Sequence, residues 1–363
     1  MLHAIPLYVK YLGAIVLSAV ISAYSVKKII FIARNHKIYD VPDDTRKIHG
    51  AEIPTLGGIG IFIGYVIVAA FFWPTNHFFM PYMLASSAVL FFTGIYDDLM
   101  NMRPSKKLVA QLIASFITIY LADIRFTSLF GFFSINDIPY WPGILFTTLL
   151  CTFFINVFNF VDGIDGLAGT LSVLYLGLLG LALAAIGHEN AAGICLALAG
   201  ATIGLLVYNI APAKIYMGDT GSMFLGFSIF IFSLLFVNWC VAPELNNISR
   251  YVHNPQSALL LVIAMLFLPI VDALRVFALR ASRGVSPLKA DRTHLHYYLL
   301  DAGFGHTQSV AIIAGLVILH MVTAFALQDT APYVILLSIT AISFIALAII
   351  YRLRKNKFSS LGH

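Results

Sequence analysis

A run of amide and carboxylate side chains at the end of one apolar stretch has the clearest potential for chemistry. Asn156, Asn159 and Asp162 recur every third residue, so a helix would place them on nearly the same face. Asp162 and Asp165 are each followed by a glycine, which permits a turn and the close approach of another group. Amide and carboxylate oxygens are hard ligands that suit Mg²⁺. Because packing explains such a run poorly, it predicts a site for a divalent cation.

Two further acidic groups occur in short polar connections. Asp97 and Asp98 are adjacent, and Asn101 and Lys107 follow them. Neighbouring carboxylates at a membrane boundary repel each other and are costly to desolvate, so they need a proton or a cation, unless they form a solvated helix end. Asp219 lies between glycines and hydroxyl residues, where it is expected either to bind a metal or to cap the following helix.

Basic residues accompany these acids. Arg292, His294 and His296 lie in the longest inner connection, and Arg46 lies in the connection after the first apolar stretch. Arginine and histidine pair with phosphates and with polar sugar groups, although a basic loop that contacts lipid headgroups has a similar composition. Several carboxylates, a divalent cation and basic residues together indicate phosphate or diphosphate chemistry.

The composition places this chemistry in a membrane protein. Of the 363 residues, 60% are apolar and only 11% are charged, which is too few to cover the surface of a soluble domain of this size. The apolar runs are continuous and about twenty residues long, as helices that cross a bilayer require. The three cysteines are scattered through these runs, so no disulfide framework or metal cluster is expected. We therefore expect an all-α, polytopic integral membrane protein that binds lipid and no nucleic acid.

The order of the apolar segments predicts the topology. Most lysines and arginines fall in alternate connections, and only Lys10, Arg125 and Arg250 fall in the others. The positive-inside rule then places the N-terminus outside and the C-terminus in the cytoplasm, which requires an odd number of spans. About eleven spans are predicted, at 7–32, 55–73, 82–96, 108–122, 142–160, 167–186, 191–210, 222–241, 257–279, 308–327 and 332–351.

The whole chain, 1–363, is predicted to be one membrane-embedded domain, because no soluble domain, internal repeat or low-complexity segment interrupts it. Twelve of the seventeen acids fall on the predicted cytoplasmic side. The active site is accordingly expected in the cytoplasmic loops near 33–54, 97–107, 161–166, 211–221 and 280–307.

These motifs resemble those of the polyprenyl-phosphate N-acetylhexosamine-1-phosphate transferases, which are glycosyltransferases of family 4. The resemblance is strongest to the WecA branch, which transfers GlcNAc-1-phosphate, and it extends from about residue 34 to 305 and into the flanking spans. Each motif is modest by itself, but together and in this order they are specific. The matching motifs are Pro54-Thr-Leu-Gly-Gly58, Asp97-Asp98 with Lys107, Asn156-x-x-Asn159-x-x-Asp162-Gly-x-Asp165-Gly, Met217-Gly-Asp219-x-Gly221-Ser222 and Asp291-Arg-x-His294-x-His296.

The resemblance implies a reaction in which undecaprenyl phosphate attacks the β-phosphorus of UDP-GlcNAc. The products are undecaprenyl-diphosphate-GlcNAc and UMP, and this transfer initiates the synthesis of lipid-linked surface glycans such as O-antigen lipopolysaccharide. It also implies Mg²⁺, with Mn²⁺ as a substitute, and a bacterial inner membrane with the active site on the cytoplasmic face. By analogy with relatives, a homodimer is compatible with this assignment.

Residue roles also follow from the resemblance. Asn159 and Asp219 would be ligands of the metal. Asp97 would accept a proton from the lipid phosphate, with Asp98 in support and His294 as a further catalytic residue. The residues expected to bind substrate are Lys107, Asp162, Asp165, Arg292, His296, Asn101 and Arg46.

Two other functions compete with this assignment. An MraY-type enzyme transfers phospho-MurNAc-pentapeptide by the same chemistry, but it is expected to have ten spans and a three-histidine motif, whereas this chain has His294-Leu-His296-Tyr297. A secondary transporter would place ionisable residues near the bilayer midplane and often has inverted repeats. Neither feature is clear in this sequence. An inactive scaffolding protein is a third and weaker alternative, because the carboxylate groups are retained.

Overall fold

The computed structural model describes residues 6–38, 53–72, 79–132, 135–241, 252, 255–284 and 292–360. This part of the chain forms helices and turns, and the predicted all-α class is confirmed. Its α-helices are α1 (Leu7–Asn35), α2 (Gly57–Ala69), α3 (Phe79–Met100), α4 (Pro104–Leu121), α5 (Tyr140–Val161), α6 (Leu167–Ala185), α7 (Glu189–Asn209), α8 (Gly218–Val241), α9 (Pro255–Ser282), α10 (Leu295–Asp301), α11 (His306–Ala326) and α12 (Pro332–Ser360).

Each of the eleven predicted spans coincides with one of these helices, and the short helix α10 was not predicted. By length and composition, nine of the described helices can cross a membrane. The other two are α2, which a 3-10 turn extends to Phe72 as a shorter apolar helix, and α4, which begins with Lys106 and Lys107 in its first turn. The number of crossings and the orientation of the termini therefore stay predictions.

The ends of the helices lie at two opposite ends of the bundle. At one end, the Tyr11 hydroxyl of α1 donates to the carbonyl of Glu189, where α7 begins (3.3 Å). Also at this end, the Asn238 amide near the end of α8 donates to the carbonyl of Arg125 (3.1 Å). The acidic and amide motifs lie at the other end, which we call the site end. Successive long helices thus run in alternate directions, as a polytopic membrane protein requires.

Helix α8 is the centre of the bundle. Its whole apolar window is buried inside the protein, compared with 22% of the window in α1 and in α12. The peripheral helices instead expose large apolar side chains, such as Leu12 and Val16 of α1 and Leu337 and Phe344 of α12. An exposed apolar exterior is expected of helices that face lipid. The apolar length of α8 is therefore surrounded by protein, and its first residues lie at the site end.

Helix α1 packs closely on α2 and α7 through small residues spaced four apart. A Cβ atom at Gly60 or Gly64 of α2, or at Gly200 or Gly204 of α7, would overlap atoms of α1. Membrane helices lack a hydrophobic driving force for association with one another, so close backbone approach through small residues is a principal source of their attraction. These glycines therefore fix the distance between α1 and its neighbours.

We expect Gly200→Leu to destabilise the protein, because the new side chain would meet the backbone of α1 at Ile15. Overpacking of this kind costs about 1–3 kcal/mol. Gly177→Leu is the matched control, since Gly177 lies within α6 and a Cβ atom there would point into open space. Thermal unfolding in detergent should show a lower midpoint for Gly200→Leu only. An equal effect of both changes would contradict the packing argument.

Candidate active site

The Asp98 carboxylate holds the first residues of α8 at the site end. Its Oδ1 accepts the backbone N–H of Asp219 (2.8 Å), and its Oδ2 accepts both the N–H (3.0 Å) and the hydroxyl (2.6 Å) of Thr220. The first N–H groups of a helix have no partner within it, and a carboxylate at this position satisfies them and interacts favourably with the helix dipole. The backbone at Gly218 has φ +73°, which favours glycine, and a Cβ there would overlap Thr55 and crowd Asp98.

The Lys107 ammonium joins two carboxylates from different helices. Its Nζ lies 3.1 Å from Oδ2 of Asp97 and 2.5 Å from Oδ2 of Asp219. The other oxygen of Asp97 accepts the backbone N–H of Met102 (2.5 Å). The exposed fractions of the Lys107, Asp97 and Asp219 side chains are only 15%, 11% and 24%. Because buried carboxylates need a nearby positive charge, the single Lys107 ammonium offsets part of the negative charge of both acids.

The end of α5, with its amide side chains, also contacts this network at Asp219. The Asn159 amide donates to Oδ1 of Asp219 and to the hydroxyl of Ser222 (2.8 Å). One turn earlier, the Asn156 amide donates to the buried Gln111 side chain (2.6 Å) and so ties α5 to α4. The predicted helical face is thus confirmed for these two amides. Asn156 has a structural partner, whereas Asn159 contacts the Asp219 carboxylate directly.

The glycines near residue 57 allow a backbone pairing that supports this site. Tyr216 N–H donates to the carbonyl of Pro54 (2.8 Å), and the Gly57 and Gly58 N–H groups donate to Tyr216 and Met217 (3.0 and 2.9 Å). A Cβ at Gly57 or Gly58 would overlap Tyr216 or the backbone of α8. The segment before α2 is therefore fixed against the turn before α8.

The turn between α5 and α6 contains two acids with different environments. Burial, and then the negative charge of Asp219, raise the pKa of Asp162 to about 7, although Gly218 N–H donates to it. Burial also favours neutral Asp165, but hydrogen bonds from His306 and from Ala213 N–H (3.1 Å) outweigh it and lower its pKa. Asp165 therefore links this turn to α11 and to the segment before α8, while Asp162 lies beside the carboxylate cluster.

The histidine motif lies against the same turn. The His294 ring stacks on Phe160 (5.4 Å between centroids) and is parallel to the His296 ring (5.7 Å). A Cβ at Gly163 would overlap the His296 imidazole. Burial lowers the pKa of His296 to about 3, so this ring is neutral at neutral pH. The two imidazoles therefore pack on the residues that directly follow Asn159.

The predicted site residues differ in how closely they come together. Asp97, Asp98, Lys107, Asn159 and Asp219 form one connected network. The remaining described ones flank this network or lie at its edge. Asp162, Asp165, His294 and His296 are the flanking residues.

Two predicted residues lie at the edge, and one lies outside the described part of the chain. Asn101 is exposed and has φ +51°. It follows the last residue of α3, and its N–H donates to the backbone carbonyl of Asp97 (3.0 Å). Arg292 lies near Asp301 (3.5 Å) and over the Tyr297 ring (4.9 Å). Arg46 lies outside the described residues. For Asn101 the structure provides a backbone role in ending a helix, and asparagine tolerates this left-handed conformation.

The side-chain oxygens of Asp219 and Asn159 suit a magnesium ion that displaces the Lys107 ammonium and draws most of its ligands from elsewhere. Among the described residues, no group of three or more His, Cys, Asp or Glu side chains could hold a metal. Asp219 and Asn159 supply one carboxylate and one amide side by side. Mg²⁺ commonly takes one or two carboxylates and completes its shell with water and substrate phosphates. The Asn159 amide would need a half-turn to present its oxygen to the ion.

Several side chains at the site were not selected from the sequence. Asp272 of α9 lies 2.9 Å from Nδ1 of His294, and Gln111 and Thr220 organise the amide run and the start of α8. Asp272 occurs inside an apolar span, and an acid at that position is itself a signal of function. Gln111 and Thr220 carry no such signal, because their partners come from other helices.

Comparisons with known proteins agree with this arrangement. A family model described as glycosyl transferase family 4 matches residues 80–237, which include the carboxylate cluster and the amide run but not the histidine motif. A probable undecaprenyl-phosphate N-acetylglucosaminyl 1-phosphate transferase of Bacillus subtilis is 30% identical over 293 residues, which cover 78% of this chain and 76% of the relative.

Two further relatives show the same level of similarity. The decaprenyl-phosphate N-acetylglucosaminephosphotransferase of Mycobacterium tuberculosis is 30% identical over 74% of this chain and 70% of its own length. The undecaprenyl-phosphate alpha-N-acetylglucosaminyl 1-phosphate transferase of Salmonella typhi is 30% identical over 78% of this chain and 76% of its own length. By this extended similarity over most of its length, the chain belongs to glycosyl transferase family 4.

Proposed function

We propose that the protein transfers GlcNAc-1-phosphate from UDP-GlcNAc to undecaprenyl phosphate and releases UMP. The relatives are named for N-acetylglucosamine phosphate transfer to a polyprenyl phosphate. The observation that carries the proposal is the network of Asp97, Lys107, Asp219 and Asn159 at one end of an apolar bundle. Such a site would place charged groups beside the diphosphate of the donor. Its position at the end of a membrane bundle would bring it near the polyprenyl chain in the lipid.

The site end would face the cytoplasm of a bacterial inner membrane. The helices that end there carry basic residues, such as Lys27, Lys28 and Arg34 in α1 and Arg352 and Lys355 in α12. Such an accumulation is typical of cytoplasmic ends. A C55 chain loses about 0.8 kcal/mol for each CH₂ group that leaves the bilayer, so its phosphate has to react at this interface.

In this mechanism, an oxygen of the lipid phosphate forms a bond to the β-phosphorus of UDP-GlcNAc. The bond from that phosphorus to the oxygen of UMP breaks, and UMP leaves with the electron pair. In the free protein the Lys107 ammonium lies between the carboxylates of Asp97 and Asp219 (3.1 and 2.5 Å). When substrate binds, the ammonium leaves Asp97 and binds a phosphate oxygen. The Asp97 carboxylate then accepts the proton of the lipid phosphate.

Asn159 and Asp219 would hold Mg²⁺, or Mn²⁺ in its place. Bound there, the ion would neutralise the diphosphate and the charge that develops on UMP. Asp98 keeps Asp219 in place through the start of α8, and Asp162 and Asp165 flank the nucleotide. His294, His296 and Arg292 would contact the donor from the α9–α10 side.

A donor panel tests the function. Purified protein with undecaprenyl phosphate and Mg²⁺ should release UMP from UDP-GlcNAc, and only when both lipid and metal are present. UMP from UDP-MurNAc-pentapeptide alone would instead support the MraY-type reaction. Substrate flux in liposomes without UMP formation would support a transporter.

Asp219→Asn should lower UMP release by about 10²–10³-fold, because the substitution removes the charge that faces the cation and Lys107. Asn159→Ala should have a similar effect. Asp137→Asn, at an exposed carboxylate outside the described helices, is the control and should keep normal activity. Full activity of Asp219→Asn at limiting Mg²⁺ would contradict the proposed metal site.

The two adjacent acids should separate into different roles. Asp98→Asn should lower the free energy of unfolding by about 1–3 kcal/mol, because an amide nitrogen would face N–H groups that now reach a carboxylate oxygen. Asp97→Asn should reduce turnover with a smaller change in stability. Thermal unfolding in detergent and UMP release, measured on both variants, check this. Unchanged stability of Asp98→Asn would show that the carboxylate is not needed to hold α8.

A further inference from the structure

Both histidines of the motif have a buried ring nitrogen, and both rings line the same small cavity. The Nε2 atoms of His294 and His296 have no hydrogen-bond partner among the described residues, and the residues are only 5% and 4% exposed. The cavity, of about 20 Å³, is lined by both imidazoles, Asp272, Phe160 and Pro269, among others. A buried polar atom without a partner is uncommon and needs an explanation. This volume holds a group of about the size of one water molecule, such as a hydroxyl or an N–H group of a bound substrate.

Asp272 determines which nitrogen of His294 is available. Its Oδ2 lies 2.9 Å from Nδ1 of His294, and both of its oxygens accept the N–H of Leu295 (3.1 and 3.2 Å). A carboxylate can only accept here, so Nδ1 of His294 carries a proton, and in the singly protonated ring that is its only N–H. The Nε2 atom then carries a lone pair and accepts a hydrogen bond. A carboxylate behind an imidazole fixes both the tautomer and the orientation of the ring.

Arg275 completes the support for this pair. Its guanidinium donates to Oδ1 of Asp272 through Nη2 (2.7 Å) and Nε (3.2 Å), and Nη2 also donates to the carbonyl of Thr293 (2.5 Å). The guanidinium also lies over the ring of Tyr298 (5.0 Å). Arg275 therefore supplies a positive charge beside the Asp272 carboxylate. The residues around the motif are therefore anchored on both sides of the histidine.

We propose that Asp272 is a positioning residue that presents Nε2 of His294 as a hydrogen-bond acceptor to the sugar nucleotide. The matching ligand group is a donor, such as a sugar hydroxyl or the acetamido N–H, and not a phosphate oxygen. The proposal rests on the proposed function, because it assigns His294 to the donor substrate of the same site.

A double-mutant cycle tests it through UMP release. In Asp272→Asn, the amide N–H can donate to Nδ1 and move the ring proton to Nε2, where it would oppose the ligand donor. We expect the KM for UDP-GlcNAc to rise roughly tenfold, as for one lost hydrogen bond, with a smaller change in kcat. His294→Ala should have a similar effect, and the double variant should be no worse than His294→Ala alone. Asp272→Glu should restore part of the affinity.

Two results would overturn the positioning role. One is an unchanged KM in Asp272→Asn. The other is a double variant much worse than His294→Ala, which would show that Asp272 acts on the fold and not through the histidine. Asp137→Asn serves as the control for charge loss at an exposed carboxylate.

A spectroscopic measurement separates this proposal from the reaction assignment. The protein labelled with ¹⁵N-histidine should show an unprotonated Nε2 for His294, assigned by its loss in His294→Ala. Asp272→Asn should convert that signal to a protonated Nε2. These spectra require no turnover, so they support the positioning role even if no donor releases UMP. A protonated Nε2 in the natural protein would overturn it.

Discussion

The contact between the Asp98 carboxylate and the first turn of α8 is the constraint on which the site depends. Helix α8 is buried along its apolar length and Thr220 is fully buried, so the N–H groups at its start need partners within the protein. Asp98 satisfies those of Asp219 and Thr220 from α3, and Gly94 of α3 leaves no Cβ to separate the two helices there. Because the other core helices pack around α8, fixing its start also fixes where Asp219 meets the ends of α4 and α5.

The charge balance at this point explains how carboxylates persist among apolar helices. Asp97 and Asp219 share the single positive charge of Lys107, and the Asn159 amide donates a further hydrogen bond to Asp219. Breaking a buried pair by removing one partner is costly because it leaves an uncompensated charge. A diphosphate and its cation bring both signs of charge, so they can replace these internal contacts without leaving an ion unpaired.

The sequence predicted the helices and the main polar groups because both are local patterns. Continuous apolar runs located eleven helices, and the spacing of Asn156 and Asn159 placed them on one face. The same patterns left the role of Asp98 open, because Asp98 caps a helix that is distant in sequence and adjacent only in the folded chain. The pairing of Asp272 with His294 joins residues 22 positions apart, and α10 is too short for a periodic signal. Tertiary contacts of this kind are absent from local patterns.

The site has two parts that come from different regions of the chain. The carboxylate and amide network belongs to α3, α4, α5 and α8, within the segment that matches the family model, whereas the histidines and Asp272 belong to α9 and α10 outside it. The two parts meet where the imidazoles pack on Phe160 and Gly163. Phosphoryl transfer depends on positioned charge that is common to all nucleotide-sugar donors, while discrimination between sugars depends on hydrogen bonds to particular hydroxyl or amide groups. Under the proposed function these two tasks would belong to separate helices, so sugar recognition could change without disturbing the buried charges at the start of α8.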